Sequence, residues 1–430
     1  MMLCFPMQEN VDRSKAVSIL ESASQSLTRS IPSLAGRVIR DPDEPGEQFR
    51  SGLYHIRPCE YPNGSILRIK HLANNFPSYN EISKAKAPSS MLDGGVLSPE
   101  KGLPDHLTDS DVCPVLVIQA NFARGGLMLA FAGAHTVMDG NGLGQIIRMF
   151  ASACRGERFT EADVRAVHLD HDTCVPPLKP QETPLEHLDL RIDPNKTKPG
   201  QPSKTIPMLW TYFRFSALKL AELKVEASRD CPPVSWMTTN DAVSALVWKS
   251  ITKARSSRFD ISKSSTLLRA INGRRLSRPP IPDAFLGNAV QCILITRTIK
   301  DLAESMSISA ITLLIRQSML PIDDFFIRSL ATMLRNEPDK RTIGYDVDPE
   351  TGFVISSWAD LPVYPEGGFG PLLGMPEFMR RPRLTPCEGL AYFMPKDPLG
   401  NIDLVIALRE SDLEELKTDA EWMRYAEFIG

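Results

Sequence analysis

A chain of 430 residues with 42% hydrophobic content is long enough for two packed cores, because a single core stops growing near roughly 250–300 residues. A formal net charge of -3 leaves no basic excess to neutralise phosphates, so nucleic acid is not an expected partner. No apolar run approaches the roughly 20 residues that span a bilayer, and the opening residues lack the basic head and long apolar stretch of a signal peptide, so no membrane partner and a cytoplasmic location are expected.

In chain order, the spacing of Ala16, Leu20, Ala23 and Leu27 predicts an amphipathic helix over 12–30, closed by Pro32 and Gly36. Residues 114–122 and 127–134 read as two apolar strands joined at Arg124-Gly125-Gly126, a hairpin whose second strand delivers the chain to His135. Residues 140–153 read as a helix with Leu143, Ile146, Ile147 and Phe150 on one face. Eight prolines between 176 and 207 exclude most regular structure there, which makes 181–207 the expected crossover between an N-terminal domain, 1–180, and a C-terminal one, 208–430. Beyond it the pattern predicts helices at 216–228 and 238–254, a mobile loop at 256–265, a strand at 290–295, a strand at 402–408 and a helix over 412–428. The eight cysteines are scattered without a CxxC pair and read as reduced packing residues.

The segment Ala134-His135-Thr136-Val137-Met138-Asp139-Gly140 falls where a strand ends and a glycine-bearing turn begins, a place from which a side chain can project into a cleft. A neutral imidazole there can take a proton from an attacking hydroxyl and return it to a leaving group. Asp139, across the turn, suits orienting the loop or pairing with an arginine. On spacing alone, a hydrogen-bonded core histidine is an equally good reading of His135.

Further segments recur in a set order: Ser235-Trp236-Met237-Thr238-Thr239-Asn240-Asp241-Ala242 with Leu246-Val247-Trp248; Ile271-Asn272-Gly273-Arg274-Arg275 with Leu286-Gly287-Asn288; Ser356-Ser357-Trp358; and Phe369-Gly370 with Gly374-Met375-Pro376. Together with AHTVMDG, this series resembles the BAHD acyltransferases, and in particular their fungal branch related to trichothecene acetyltransferases. The resemblance covers roughly nine tenths of the chain.

It implies an α/β protein of two chloramphenicol-acetyltransferase-like domains with a channel between them. Acyl-CoA, most simply acetyl-CoA, would be the co-substrate, with no permanently bound cofactor and no metal, and a small secondary-metabolite alcohol would be the acceptor. By the same resemblance His135 is the base and Asp139 a structural, orienting residue paired with Arg274. Ser357 and Trp358, or Asn288, are the candidate oxyanion donors. Thr239, Lys249, Lys253, Arg255 and Asn288 are the candidate contacts for CoA, and a monomer is expected. A second basic cluster, Arg380-Arg381-Pro382-Arg383, is a further phosphate candidate.

Three departures stand out. Gly368-Phe369-Gly370-Pro371 lacks the aspartate and the centre of the family's DFGWG element, with Glu366 the available substitute. The chain opens at Leu3-Cys4-Phe5-Pro6, near the family's second strand, which suggests a shorter gene or a clipped start. Asp360 replaces a common arginine after SSWA and would disfavour an anionic acceptor.

Rival readings are a condensation-type domain taking its acyl group from a carrier protein, although Ala134 replaces the first histidine of that motif, and an inactive small-molecule-binding relative. His168-Leu169-Asp170-His171-Asp172 superficially resembles a metal-binding run, without the partner histidines that a catalytic zinc needs. The glycines at 140, 142 and 144 do not complete a dinucleotide-binding fingerprint.

Overall fold

The computed structural model describes residues 1–8, 11–40, 54–59, 65–100, 113–193, 206–229 and 236–430. Ser235, Cys231 and residues 194–205 of the proline-rich crossover lie outside the described residues.

Asp12 caps the first helix, Arg13–Ser30, by accepting from the Ser14 amide at 3.0 Å, and the predicted stripe of Ala16, Leu20, Ala23 and Leu27 is fully buried. That face packs on helix Gly140–Cys154. The predicted hairpin forms as Leu116–Ala123 against Gly126–Gly133, with Leu116 opposite Gly133 and Ala123 opposite Gly126. Gly125 closes it at φ 76°, a conformation in which a side chain would be strained. Every residue of the first strand is buried, which explains why it reads as one apolar run rather than an alternation.

With strands numbered in chain order, the first sheet has the order β12-β1-β7-β6-β4, where β1 is Met2–Pro6, β4 Leu67–His71, β6 Leu116–Ala123, β7 Gly126–Gly133 and β12 Phe378–Arg380. The second has the order β10-β9-β11-β13-β14-β8-β15: Val290–Thr298, Ser264–Asn272, Phe353–Ser357, Leu390–Phe393, Ile402–Arg409, Met208–Phe215 and Glu427–Phe428. A small third sheet joins Tyr54–Pro58, Gly36–Arg40 and Cys113–Pro114.

Strand β12 comes from the C-terminal half yet pairs with β1, Leu3 opposite Met379. The core beneath helix Gly140–Cys154 likewise takes in Trp210, Val363, Phe369 and Val405. Buried Asp403 on β14 receives both arms of Arg214 at 2.7 and 2.8 Å and stands 2.8 Å from Arg380. Arg380 in turn donates to the carbonyls of Lys86 and Ala87, which ties the two sheets together at the end of the shared strand.

Two expectations change. The C-terminal helix is two helices, Glu410–Thr418 and Ala420–Tyr425, because Asp419 takes an extended conformation and caps the second by accepting from the Trp422 amide at 2.9 Å. Residues 256–265 hold a 3-10 turn, Ser256–Arg258, and the first residues of strand β9.

Candidate active site

Strand β7 ends at Gly133 and the chain turns at once, with the Val137 and Met138 amides both donating to the Ala134 carbonyl at 2.9 and 3.1 Å. Met138 is buried and His135 is exposed, so the turn sinks its apolar member and presents its imidazole. Asp139 then caps helix Gly140–Cys154, accepting from the Gly142 amide at 2.8 Å. Its charge sits at the positive end of the helix dipole.

Arg274 reaches Asp139 from the other half of the molecule. It lies in the turn Gly273–Arg275 that follows strand β9, whose start Asn272 caps by accepting from the Arg274 amide at 3.1 Å. Its Nη1 and Nη2 donate to the two carboxylate oxygens at 2.8 and 3.0 Å, with neither side chain exposed. Nη2 also serves the Phe285 and Gly287 carbonyls at 2.9 Å each, and the Ala289 amide donates to Asp139 at 2.9 Å. A buried pair of this kind is tolerated only when nearly all remaining lone pairs and N–H groups find partners. Here Nε of Arg274 alone is left without one.

The halves also touch through backbone. Gly142 lies so close to Leu286 that a Cβ would stand 2.4 Å from its carbonyl oxygen, and a Cβ on Gly144 would stand 3.2 Å from the side-chain Cδ of Pro362. A Cβ on Gly140 would meet Nε1 of Trp358 at 3.4 Å, which brings Trp358 to the foot of the histidine turn. Trp358 follows strand β11, is held by its amide on the Phe393 carbonyl at 2.8 Å, and packs on Tyr392 with ring centroids 4.7 Å apart. Ser357 is half-buried beside it, its hydroxyl receiving the Ala359 amide at 3.5 Å. Asn288 is engaged differently from an oxyanion donor: its Nδ2 donates to the carbonyl oxygen of His135 at 2.9 Å.

The cationic candidates for CoA have carboxylate partners of their own. Lys249 pairs with Glu421 at 2.9 Å and Lys253 with Asp419 at 2.7 Å. Arg255 is a correction: it is 2% exposed, donates to the Gly352 carbonyl and lies 3.7 Å from Asp412, so its guanidinium belongs to the interior. Burial pulls it down to about 10, against the opposing pull of Glu388 and Asp412. Thr239 is the half-buried first residue of helix Thr239–Arg255, and the capping box is made by Thr238 with Asp241. Asp241 is buried and holds Arg269 at 2.7 Å and Arg316, a network that the motif pattern signalled only as a helix start. Arg381 stacks on Trp210 at 4.5 Å and on Tyr392 at 5.1 Å, and Arg383 is exposed.

The histidine-rich run splays apart: His168 meets the Ser30 carbonyl, His171 the Asn288 carbonyl, and Asp172 pairs with Arg335 at 2.6 Å. Among the described residues no three His, Cys, Asp or Glu side chains gather as a metal site would need. Asp360 is exposed and 3.0 Å from Lys396. The altered Phe369-Gly370 element is held without its aspartate, since Arg155 donates to the Gly368 carbonyl at 2.5 Å and Phe369 packs edge-on against Phe5. Glu366 is exposed.

The model of the trichothecene 3-O-acetyltransferase-like N-terminal domain matches residues 1–154, and that of the transferase family matches residues 98–423. An O-acyltransferase of Monascus ruber is 35% identical, covering 100% of this chain and 95% of its own length. The trichothecene 3-O-acetyltransferase of Fusarium sporotrichioides is 33% identical over 100% of this chain and 93% of its own length. The crystal structure of that enzyme complexed with coenzyme A and T-2 superposes with a TM-score of 0.89 at 32% identity, covering 100% of this chain and 95% of that one. Vinorine synthase, at 16% identity and a TM-score of 0.62, shares the fold. The expected two-domain α/β architecture therefore holds. The chain belongs to the transferase family, in its trichothecene 3-O-acetyltransferase-like branch, and is an acyl-CoA-dependent O-acyltransferase.

Proposed function

We propose that this chain transfers an acetyl group from acetyl-CoA to a hydroxyl of a small secondary-metabolite alcohol in a ternary complex, with His135 as the general base. The observation that carries the reading is the lock on the histidine turn. Asp139, Arg274 and Ala289 hold the turn from both halves of the molecule while His135 itself stays exposed.

A thioester is already activated, so an alcohol held in position attacks it directly without a nucleophilic serine. The imidazole of His135 takes the hydroxyl proton as the alcohol oxygen bonds to the thioester carbon, and the carbonyl electron pair moves onto oxygen. The tetrahedral oxyanion collapses, the carbon–sulfur bond breaks, and the CoA thiolate leaves with the proton that His135 had taken. Trp358 and Ser357 are the oxyanion donors in this reading, supported by the closeness of the Trp358 indole to Gly140. Acetyl as the group transferred is supported by the acetyltransferase names of several relatives.

Residues 1–180 and 208–430 are taken as the two acyltransferase-like halves, acting as a cytoplasmic monomer. The location is supported by the cysteines, which are scattered without a CxxC pair as suits a reducing compartment; no described helix is long and apolar enough to cross a membrane.

The test is incubation of purified protein with acetyl-CoA and a panel of polyol, terpenoid and polyketide alcohols, wild type against His135→Ala, read by mass spectrometry and thiol release. An acetylated product that is lost in the variant supports the base. Equal activity in the variant overturns it.

A further inference from the structure

Residues 288 and 289 grip the histidine turn at its two ends. The Ala289 amide holds the Asp139 carboxylate, and the Asn288 side chain holds the His135 carbonyl at 2.9 Å. Because that atom of His135 is an acceptor, only the amide nitrogen of Asn288 can face it. The neighbouring amides of Val137 and Met138 are both directed to Ala134, so the carbonyl beside the base is fixed from the opposite half of the molecule.

Asn288 is itself fixed from behind. Its backbone carbonyl accepts from Nε2 of His171 at 3.2 Å, which places the His171 proton on that nitrogen. The His171 ring lies 6.2 Å from that of Phe285, whose carbonyl is one of the acceptors of Arg274. The chain from Phe285 to Asn288 is folded so tightly that a Cβ on Gly287 would stand 2.4 Å from the Phe285 ring. Three separate chain segments, at 135, 171 and 288, thus converge on one line of hydrogen bonds that ends at the backbone of the imidazole.

From this we propose that Asn288, braced by His171, is a positioning residue that sets the placement of the His135 imidazole against the reacting hydroxyl. The proposal rests on His135 being the base. A shift of about 1 Å in a reacting group is enough to lower a rate on the order of 100-fold, and a hydrogen bond to the backbone carbonyl of His135 itself controls a displacement of that size.

The experiment measures kcat and KM for acetyl-CoA with an alcohol that the wild type accepts, and again with hydroxylamine, a nucleophile that needs little help from a base. The variants are Asn288→Ala, Asn288→Asp, His171→Ala and His171→Gln, with His135→Ala alongside. Asn288→Ala and Asn288→Asp should each lower kcat with the alcohol by roughly 10- to 100-fold at nearly constant KM, and much less with hydroxylamine. His171→Ala should lower it by a smaller factor, and His171→Gln, whose amide nitrogen falls where Nε2 stood, should restore it. Thermal midpoints, measured in parallel, identify any variant that has lost its fold, and the His171 pair then carries the test. Equal losses with both nucleophiles would make Asn288 a direct oxyanion contact, and a change confined to KM would make it a CoA contact; either result overturns the proposal. An active His135→Ala would bring down the base itself, whereas a dead His135→Ala beside fully active Asn288 variants would bring down the positioning role alone.

Discussion

Asp139 and Arg274, 135 positions apart in the chain, meet through two hydrogen bonds of 2.8 and 3.0 Å with neither side chain exposed. Removing one partner leaves a buried charge uncompensated, so Asp139→Ala or Arg274→Ala should lower the unfolding free energy by about 3–5 kcal/mol. Asp139→Leu combined with Arg274→Met should recover much of that stability without acetyl transfer, because the turn loses its directional hold. Denaturant unfolding and thiol release, measured on all three variants, separate the two effects.

Trp358 lies beside Gly140 with its indole nitrogen toward the turn. Trp358→Phe keeps most of the stacking on Tyr392 but removes the N–H donor. If the indole serves the oxyanion, kcat falls by roughly 100-fold or more while KM for acetyl-CoA holds. Steady-state kinetics decide the point: an unchanged kcat would leave Trp358 a packing residue only.

Gly142 and Gly125 give opposite outcomes for the same substitution. Gly142→Ala drives a Cβ to 2.4 Å from the Leu286 carbonyl and pushes the halves apart beside the lock, so stability should drop by about 1–3 kcal/mol and activity with it. Gly125→Ala meets nothing within 4 Å and suffers only from φ 76°, which should cost about 1 kcal/mol and leave kcat intact. Thermal melts alongside product formation test both.

Asp241 and Asp403 make the fold sensitive to acid. Burial alone would raise each carboxyl, but Arg269, Thr238 and Arg316 hold Asp241 below the ordinary carboxylate range, and Arg380 and Arg214 do the same for Asp403. Each folded value lies below the unfolded one, so between them the unfolded chain binds more protons. Their stabilisation is therefore present above about pH 4 and is lost as pH falls through the folded values. Unfolding free energy, followed from neutral pH downward, should fall steeply below that point, and Asp403→Asn should flatten the fall.

Much of the fold was legible in contiguous residues. The stripe at Ala16, Leu20, Ala23 and Leu27, the hairpin around Gly125 and the helix after Gly140 follow from local periodicity and turn chemistry, and each forms within a residue or two of its expected bounds. Helices Ile308–Ser318 and Asp324–Asn336 went unread even though both are amphipathic, and the break at Asp419 was hidden because an aspartate can sit inside a helix or cap one. In the site, the histidine turn was readable as a motif, and the pairing of Asp139 with Arg274 was implied by resemblance. The interior position of Arg255 was not, because a charge at the end of a helix looks the same in one dimension whether it faces water or a buried Asp412.

The sequence by itself determined many of the local elements and the type and order of the groups that can do acyl-transfer chemistry, because each of these depends on residues a few positions apart. Only the tertiary structure decided that strand Phe378–Arg380 joins the first sheet, that Lys249 and Lys253 already have carboxylate partners, and that the Asn288 amide points at the backbone of His135. Those outcomes depend on which distant segments are brought within hydrogen-bonding range when two cores pack against each other, and no local pattern encodes that distance.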